Sequence, residues 1–172
     1  MNTEHINANI ASWEQVSQFV EEFISIYAES EPEDYRRFSE WQSVIRQFIK
    51  DFKELGYHKF FRAGTMMRTL VFSTLDHHGL ADEPHVTVKI ESEELIKLVY
   101  HPAIPAPNGD KMLEYDLSLV DALPTLRRFF HHLWQMTRPE AIPNELFVKK
   151  GKYQAPVLNE NDQLNSMRID LF

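Results

Sequence analysis

The chain has 172 residues, 43% of them hydrophobic and 26% charged, a balance that excludes intrinsic disorder and suffices for one packed core. Its 26 acids against 18 lysines and arginines leave a net charge of −8, which speaks against nucleic acid and anionic lipid as partners. Cysteine is absent, which excludes disulfides, thiolate metal sites and cysteine nucleophiles and makes a reducing, cytoplasmic setting the expectation.

The acidity is uneven. Residues 1–60 carry 11 acids against 6 bases, residues 61–138 carry 10 against 8, and residues 139–172 carry 5 against 4. Residues 1–12 lack the basic stretch and apolar core of a secretory signal, and no apolar run approaches the roughly 20 residues of a membrane span.

The first element is a helix. Ser12 reads as its N-cap with Gln15 completing a capping box, and Trp13, Val16, Phe19, Val20, Phe23, Ile24 and Tyr27 form one apolar stripe. Glu29-Ser30-Glu31-Pro32 breaks it, and a second helix carries Tyr35, Phe38, Trp41, Ile45, Phe48, Ile49, Phe52 and Leu55 before stopping at Gly56. So short a connection between two amphipathic helices predicts an antiparallel helical hairpin, its aromatic stripes serving as a core seam.

After Gly56 the period changes. Residues 57–62 and 67–74 read as strands separated by a turn or bulge at Ala63-Gly64, and residues 76–84 as an exposed loop. Val86, Val88 and Ile90 then alternate with His85, Thr87 and Lys89, and Ile96, Leu98 and Tyr100 repeat the pattern after a polar turn at 91–94. Two alternating strands about a short turn predict an antiparallel hairpin with one wet face. A proline-rich loop over 101–109 precedes a weaker fifth strand at Leu113, Tyr115 and Leu117. The last helix is expected to start at Ser118 or Asp121, since Pro124 suits only a helix start, and to bury Leu126, Phe129, Phe130, Leu133 and Trp134 before Arg138-Pro139.

The expected fold class is α+β: an N-terminal antiparallel helical hairpin, a four- to five-stranded mainly antiparallel sheet, a C-terminal helix and an extended tail. Residues 1–138 make a single domain, and residues 139–172 a tail packed on it or extending from it.

Chemistry is sparse. Eight histidines are present, and the candidate binding residues on the sheet and its loops are Arg62, Arg68, His77, His78, His85 and His101. The two arginines suit a carboxylate or phosphate. The histidines suit a metal or a proton-transfer role if the 77–78 loop folds against His85 or His101. His131 and His132 point about 100° apart on a helix and read as exposed positions. No His-Glu-x-x-His pattern, phosphate loop or serine elbow occurs, and the lysines at 149, 150 and 152 make no nucleic-acid footprint. No catalytic residue, metal ligand set or cofactor is assigned.

The leading expectation is a non-catalytic cytoplasmic protein-binding module, in a specific form an acidic immunity-like or antitoxin-like inhibitor of a basic partner. Its binding face would lie on the hairpin at Glu21, Glu22, Glu29 and Glu33. The first alternative is a small-molecule- or metal-binding enzyme at the His/Arg positions. The second is a structural or assembly subunit, with a homo-oligomer as its form.

Overall fold

A computed structural model describes residues 3–28, 33–66, 68–74, 82–92, 94–106 and 109–138. The elements in chain order are α1 (Thr3–Tyr27), α2 (Glu33–Glu54), a single 3-10 turn (Tyr57–Lys59), β1 (Arg62–Met66), β2 (Thr69–Ser73), β3 (His85–Ile90), β4 (Leu95–His101), β5 (Leu113–Ser118) and α3 (Leu119–Thr137). The five strands form one antiparallel sheet in the order β1-β2-β3-β4-β5. This is the α+β arrangement anticipated above, with the fifth strand present. The expected tail at 139–172 lies outside the described residues, as does the loop at 76–81.

Strand alternation divides the sheet into two faces. Ala63, Leu70, Phe72, Val86, Val88, Ile90, Ile96, Leu98, Tyr100 and Leu117 are buried against the helices. Burying each Val, Leu, Ile or Phe side chain is worth roughly 1.5–3 kcal/mol. The opposite face carries His85, Thr87, Lys89, Lys97, His101, Glu114 and Asp116, with ion pairs from Lys97 to Glu114 (2.7 Å) and Asp116 (3.8 Å).

The centre of the core is a set of aromatic rings from α1, α2, the 3-10 turn, β2 and α3, joined by Phe61 just ahead of β1. Trp13 of α1 lies 5.3 Å from Phe72 of β2, Phe52 of α2 lies 5.3 Å from Phe130 of α3, and Phe61 stacks on Phe130 at 4.5 Å. Tyr57 packs 5.4 Å from Phe52 and 5.2 Å from Phe130. The amphipathic stripes of the two long helices thus meet the sheet through rings.

Three local expectations are corrected. α1 starts near Thr3, nine residues before the expected cap. Ser12 is an interior residue whose hydroxyl donates to the Asn9 carbonyl (2.6 Å) and accepts from the Ala63 amide (3.0 Å), so it stitches the helix to β1. Residues 57–59 form a 3-10 turn instead of a strand, because Gly56 at φ 83 turns the chain and Tyr57 and Phe61, one helical turn apart, both face the core. Ala63-Gly64 lies within β1, and the turn falls between Met66 and Thr69. A small residue at 63 suits a strand that α1 approaches this closely.

α3 follows expectation. Ser118 caps it, accepting from the Asp121 amide (3.3 Å) while its hydroxyl donates to the Asp121 carboxylate (2.6 Å). Pro124 sits in the second turn.

Candidate functional site

The register of the sheet gathers chemistry at one end. β2 ends where β3 begins and β4 ends, so His85 sits directly opposite His101, and Arg62 opposite Ser73 one strand pair away. The two imidazoles stack, with ring centres 4.3 Å apart and planes 11° from parallel. His85 Nδ1 lies 2.8 Å from the Glu83 carbonyl oxygen, and His101 Nε2 lies 3.2 Å from the Thr87 hydroxyl.

Behind this pair, on the helix-covered face, lies a polar cluster without a signal in the sequence. Asp110 follows Gly109, whose φ of 74 lets the chain turn toward β5. Its carboxylate accepts from the Tyr100 hydroxyl through Oδ2 and from His132 Nε2 at 3.2 Å through Oδ1. The side chains of His132 and Asp110 are both 7% exposed. The Tyr100 ring meets the His132 ring edge-on at 4.6 Å. Burial, and then the hydrogen bond to Asp110, push the Tyr100 phenol well above its ordinary pKa, so it stays protonated and acts as the donor.

His131 and His132 are therefore buried, in place of the exposed positions expected of them. α3 turns this face toward the sheet because Phe129, Phe130, Leu133 and Trp134 are buried around them. Other candidate residues are placed elsewhere. Arg68 lies in the β1–β2 turn, its carbonyl accepting from the Ile90 amide, five residues along β3 from His85 and so roughly 17 Å away. Its guanidinium covers the Trp41 ring at 5.1 Å and lies 3.8 Å from Glu91. The structure thus brings Arg62, His85 and His101 to one end and sets Arg68 apart. His77 and His78 lie outside the described residues, and among those described no group of three or more His, Asp or Glu is placed to hold a metal ion.

The hairpin offers a different kind of surface. α1 carries Glu4, Glu14, Glu21 and Glu22 and no lysine or arginine, whereas in α2 Glu33, Asp34, Glu40, Asp51 and Glu54 are balanced by Arg36, Arg37, Arg46, Lys50 and Lys53. The net acidity of the helices accordingly belongs to α1. Two of its acids face α2 bases, Glu14 to Lys53 (2.6 Å) and Glu21 to Arg46 (3.4 Å), while exposed Glu22 accepts from Gln18 (2.7 Å). Glu33 opens α2, and Glu29 lies outside the described residues. Beyond Val20 no α1 residue is fully buried. Phe19 and Ile26 are 39% and 65% exposed, and Phe19, Phe23 and Tyr27 run as a ladder (6.0 and 4.5 Å) that reaches Phe38 and Trp41 of α2.

Two clefts flank this region. One, of about 410 Å³, runs between α1 and α2 along Val20, Glu21, Arg46, Ile49 and Lys53. The other, of about 540 Å³, lies between α2 and the β3–β4 turn and is bordered by Arg36, Arg37, Glu40, Trp41, Glu91 and Glu94. Both are lined by charges of each sign, which argues against a single small anion or cation as their natural occupant.

Burial lowers the pKa of His101, His131 and His58, helped at His101 by His85, at His131 by His132 and at His58 by Lys59 and Lys53. Each is a base whose folded pKa lies below its unfolded value near 6.5, so the unfolded chain binds more protons as pH falls. The stability these groups contribute is complete above about pH 6.5 and is lost as pH falls through their folded values. The melting temperature is expected to be lower at pH 5.5 than at pH 7.5, above the carboxylate range, and His131→Leu should flatten part of that slope in a calorimetric series.

Comparison with protein-family models, with curated proteins and with solved structures gives no significant match to this chain. The functional reading therefore rests on its own surfaces and side chains.

Proposed function

We propose that this protein is a non-catalytic, cytoplasmic protein-binding module whose partner presents a basic surface, in its specific form an acidic inhibitor of the immunity or antitoxin kind. The observation that carries this reading is on α1. A helix with four acids and no lysine or arginine leaves the aromatic ladder Phe19-Phe23-Tyr27 half-exposed. Apolar rings beside charged groups are a common composition of an interface: the rings supply the buried anchor, and the charges supply orientation and association rate. No helix among the described residues is long and apolar enough to cross a membrane.

The test is variant-dependent capture. The tag-free chain is immobilised on a resin and incubated at low salt with lysate of its host, alongside Glu22→Lys, Phe19→Ser and the remote control Val120→Lys. A basic protein recovered in stoichiometric amount by the wild type and the control, released by salt and reduced at least several-fold with Glu22→Lys and Phe19→Ser, is the expected result. Equal recovery by all four chains would remove α1 as the binding face. A stable homo-oligomer in light scattering, dissociated by Phe19→Ser, would instead assign the patch to self-assembly.

A further inference from the structure

Antiparallel strands turn the main-chain groups of successive residues to opposite neighbours. The Glu91 amide donates to the Leu95 carbonyl at 3.0 Å, which fixes the alternation along β4. Leu95, Lys97, Val99 and His101 bond to β3, and Ile96, Leu98 and Tyr100 bond to β5. Their partners Leu117, Tyr115 and Leu113 therefore face β4. The N–H and C=O groups of Glu114 and Asp116 point the other way, off the edge of the sheet, and no strand among the described residues lies beyond β5.

The other edge of the sheet is closed. There the Ala63 amide, turned away from β2, donates to the Ser12 hydroxyl, and the Phe61 carbonyl accepts from the Trp13 indole, so α1 takes up the edge groups of β1. β5 has no such cover among the described residues. It carries no lysine, proline or bulge, the common devices that blunt an edge, and its register with β4 runs unbroken from Leu113 to Ser118. The exposed carboxylates of Glu114 and Asp116 share one base, Lys97, at 2.7 and 3.8 Å, so the three groups keep a net negative charge. On the helix-covered face Leu113 and Tyr115 are half-buried, with Tyr115 against Phe129 of α3 at 5.7 Å.

We infer that β5 is a docking edge for an extended, basic segment of another protein, which adds to the sheet as a further antiparallel strand. The two residues of that segment opposite Glu114 and Asp116 each exchange an N–H and a C=O with them, the bonding of β-strand addition. Directly opposed side chains lie about 5 Å apart on one face, so lysine or arginine at those two positions meets the two carboxylates. The residue between them lies beside Tyr115 on the other face and is apolar. A second copy of this chain fits badly. Two-fold pairing about Tyr115 sets each Glu114 opposite an Asp116, and like charges directly opposite destabilise a sheet. The edge lies across the sheet from the one that α1 covers, and the inference does not rest on the α1 face.

The test uses the full, tag-free chain labelled with nitrogen-15 and titrated with the capped peptide Thr-Val-Lys-Val-Arg-Val-Thr. NMR is expected to show the Glu114 and Asp116 amides shifting and their hydrogen exchange slowing by at least about fivefold at saturation. The same peptide with glutamate at both basic positions, or N-methylated at both, should bind at least about tenfold more weakly. Glu114→Lys combined with Asp116→Lys should weaken binding to a similar degree, while Phe19→Ser binds as the wild type does. The altered peptides probe the unaltered chain, so they decide the matter even if the charge variant folds poorly. No binding up to about 1 mM peptide, equal binding of the N-methylated peptide, or shifts confined to α1 would overturn the assignment. So would protection of both amides in the dilute free chain, which gives the edge to another part of this chain. Protection that rises with protein concentration would overturn it too, by giving the edge to a second copy.

Discussion

Asp110→Ala is expected to destabilise the protein by roughly 2–5 kcal/mol, because it leaves the Tyr100 phenol and the His132 imidazole together without an acceptor in a water-poor site. Both groups are buried, Tyr100 completely, and the carboxylate that joins them is itself 7% exposed. Typical domains are stable by about 5–15 kcal/mol, so this change removes a large share of the total. Tyr100→Phe removes one hydrogen bond and should cost less, about 1–2 kcal/mol. Urea denaturation of both variants and of the double mutant measures the coupling. If the phenol and carboxylate act as a unit, the double mutant falls short of the sum of the single losses. Strictly additive losses, or an Asp110→Ala protein as stable as wild type, would mean that water satisfies the phenol and the imidazole.

Trp13→Ala is expected to cost about 3–5 kcal/mol, the range for deleting a large aromatic from a close-packed core. Trp13 is fully buried, touches Phe52 and Phe72, and its indole N–H donates to the Phe61 carbonyl at 2.7 Å. The substitution opens a cavity where α1, α2 and the sheet meet, and it orphans a buried carbonyl at the entry to β1. Trp13→Phe retains most of the ring contacts and loses the hydrogen bond, so it separates the two contributions. A loss near 1 kcal/mol for Phe and several for Ala would assign most of the effect to packing. A similar loss for both would assign it to the tie between indole and carbonyl.

Both predictions concern residues whose importance differs in how well the sequence declares it. Trp13 begins an apolar stripe of helical period, so its burial follows from pattern alone. Asp110 follows an Asn-Gly pair after a proline-rich stretch and reads as a surface turn. The partners that bury it, Tyr100 and His132, lie 10 and 22 residues away on different elements. The same contrast separates Val88 from His132. Alternation places Val88 inward on β3 whatever surrounds it, whereas His132 is buried because the apolar residues beside it on α3 turn that part of the helix toward the sheet.

Local signals failed in a consistent way. Ser12 carries the sequence marks of a cap, yet its hydroxyl is committed to Ala63 at a separation of 51 residues, and helical residues before it continue α1 to Thr3. Ala63-Gly64 carries the marks of a turn, yet it lies mid-strand where a small side chain lets α1 approach. In each case a residue type that is common at boundaries serves a tertiary contact. Among the candidate site residues, His85 and His101 stack and Arg62 lies at the same end of the sheet because of strand register, and Arg68 leaves them because the turn shifted by a few residues.

Periodicity, charge and turn residues by themselves determined the α+β class, the helical hairpin, the alternating faces of β3 and β4, the Gly56 stop and a last helix starting at Ser118 or Asp121. These depend on intervals of two or 3.6 residues and on backbone preferences that operate within a few positions. Only the tertiary structure decided that His85 stacks on His101, that Asp110 joins Tyr100 to His132, and that the aromatic stripe of α1 leaves the core beyond Val20. Those outcomes depend on which strand ends adjoin and on how far a helix outruns the sheet beneath it, and no local interval in the chain encodes either distance.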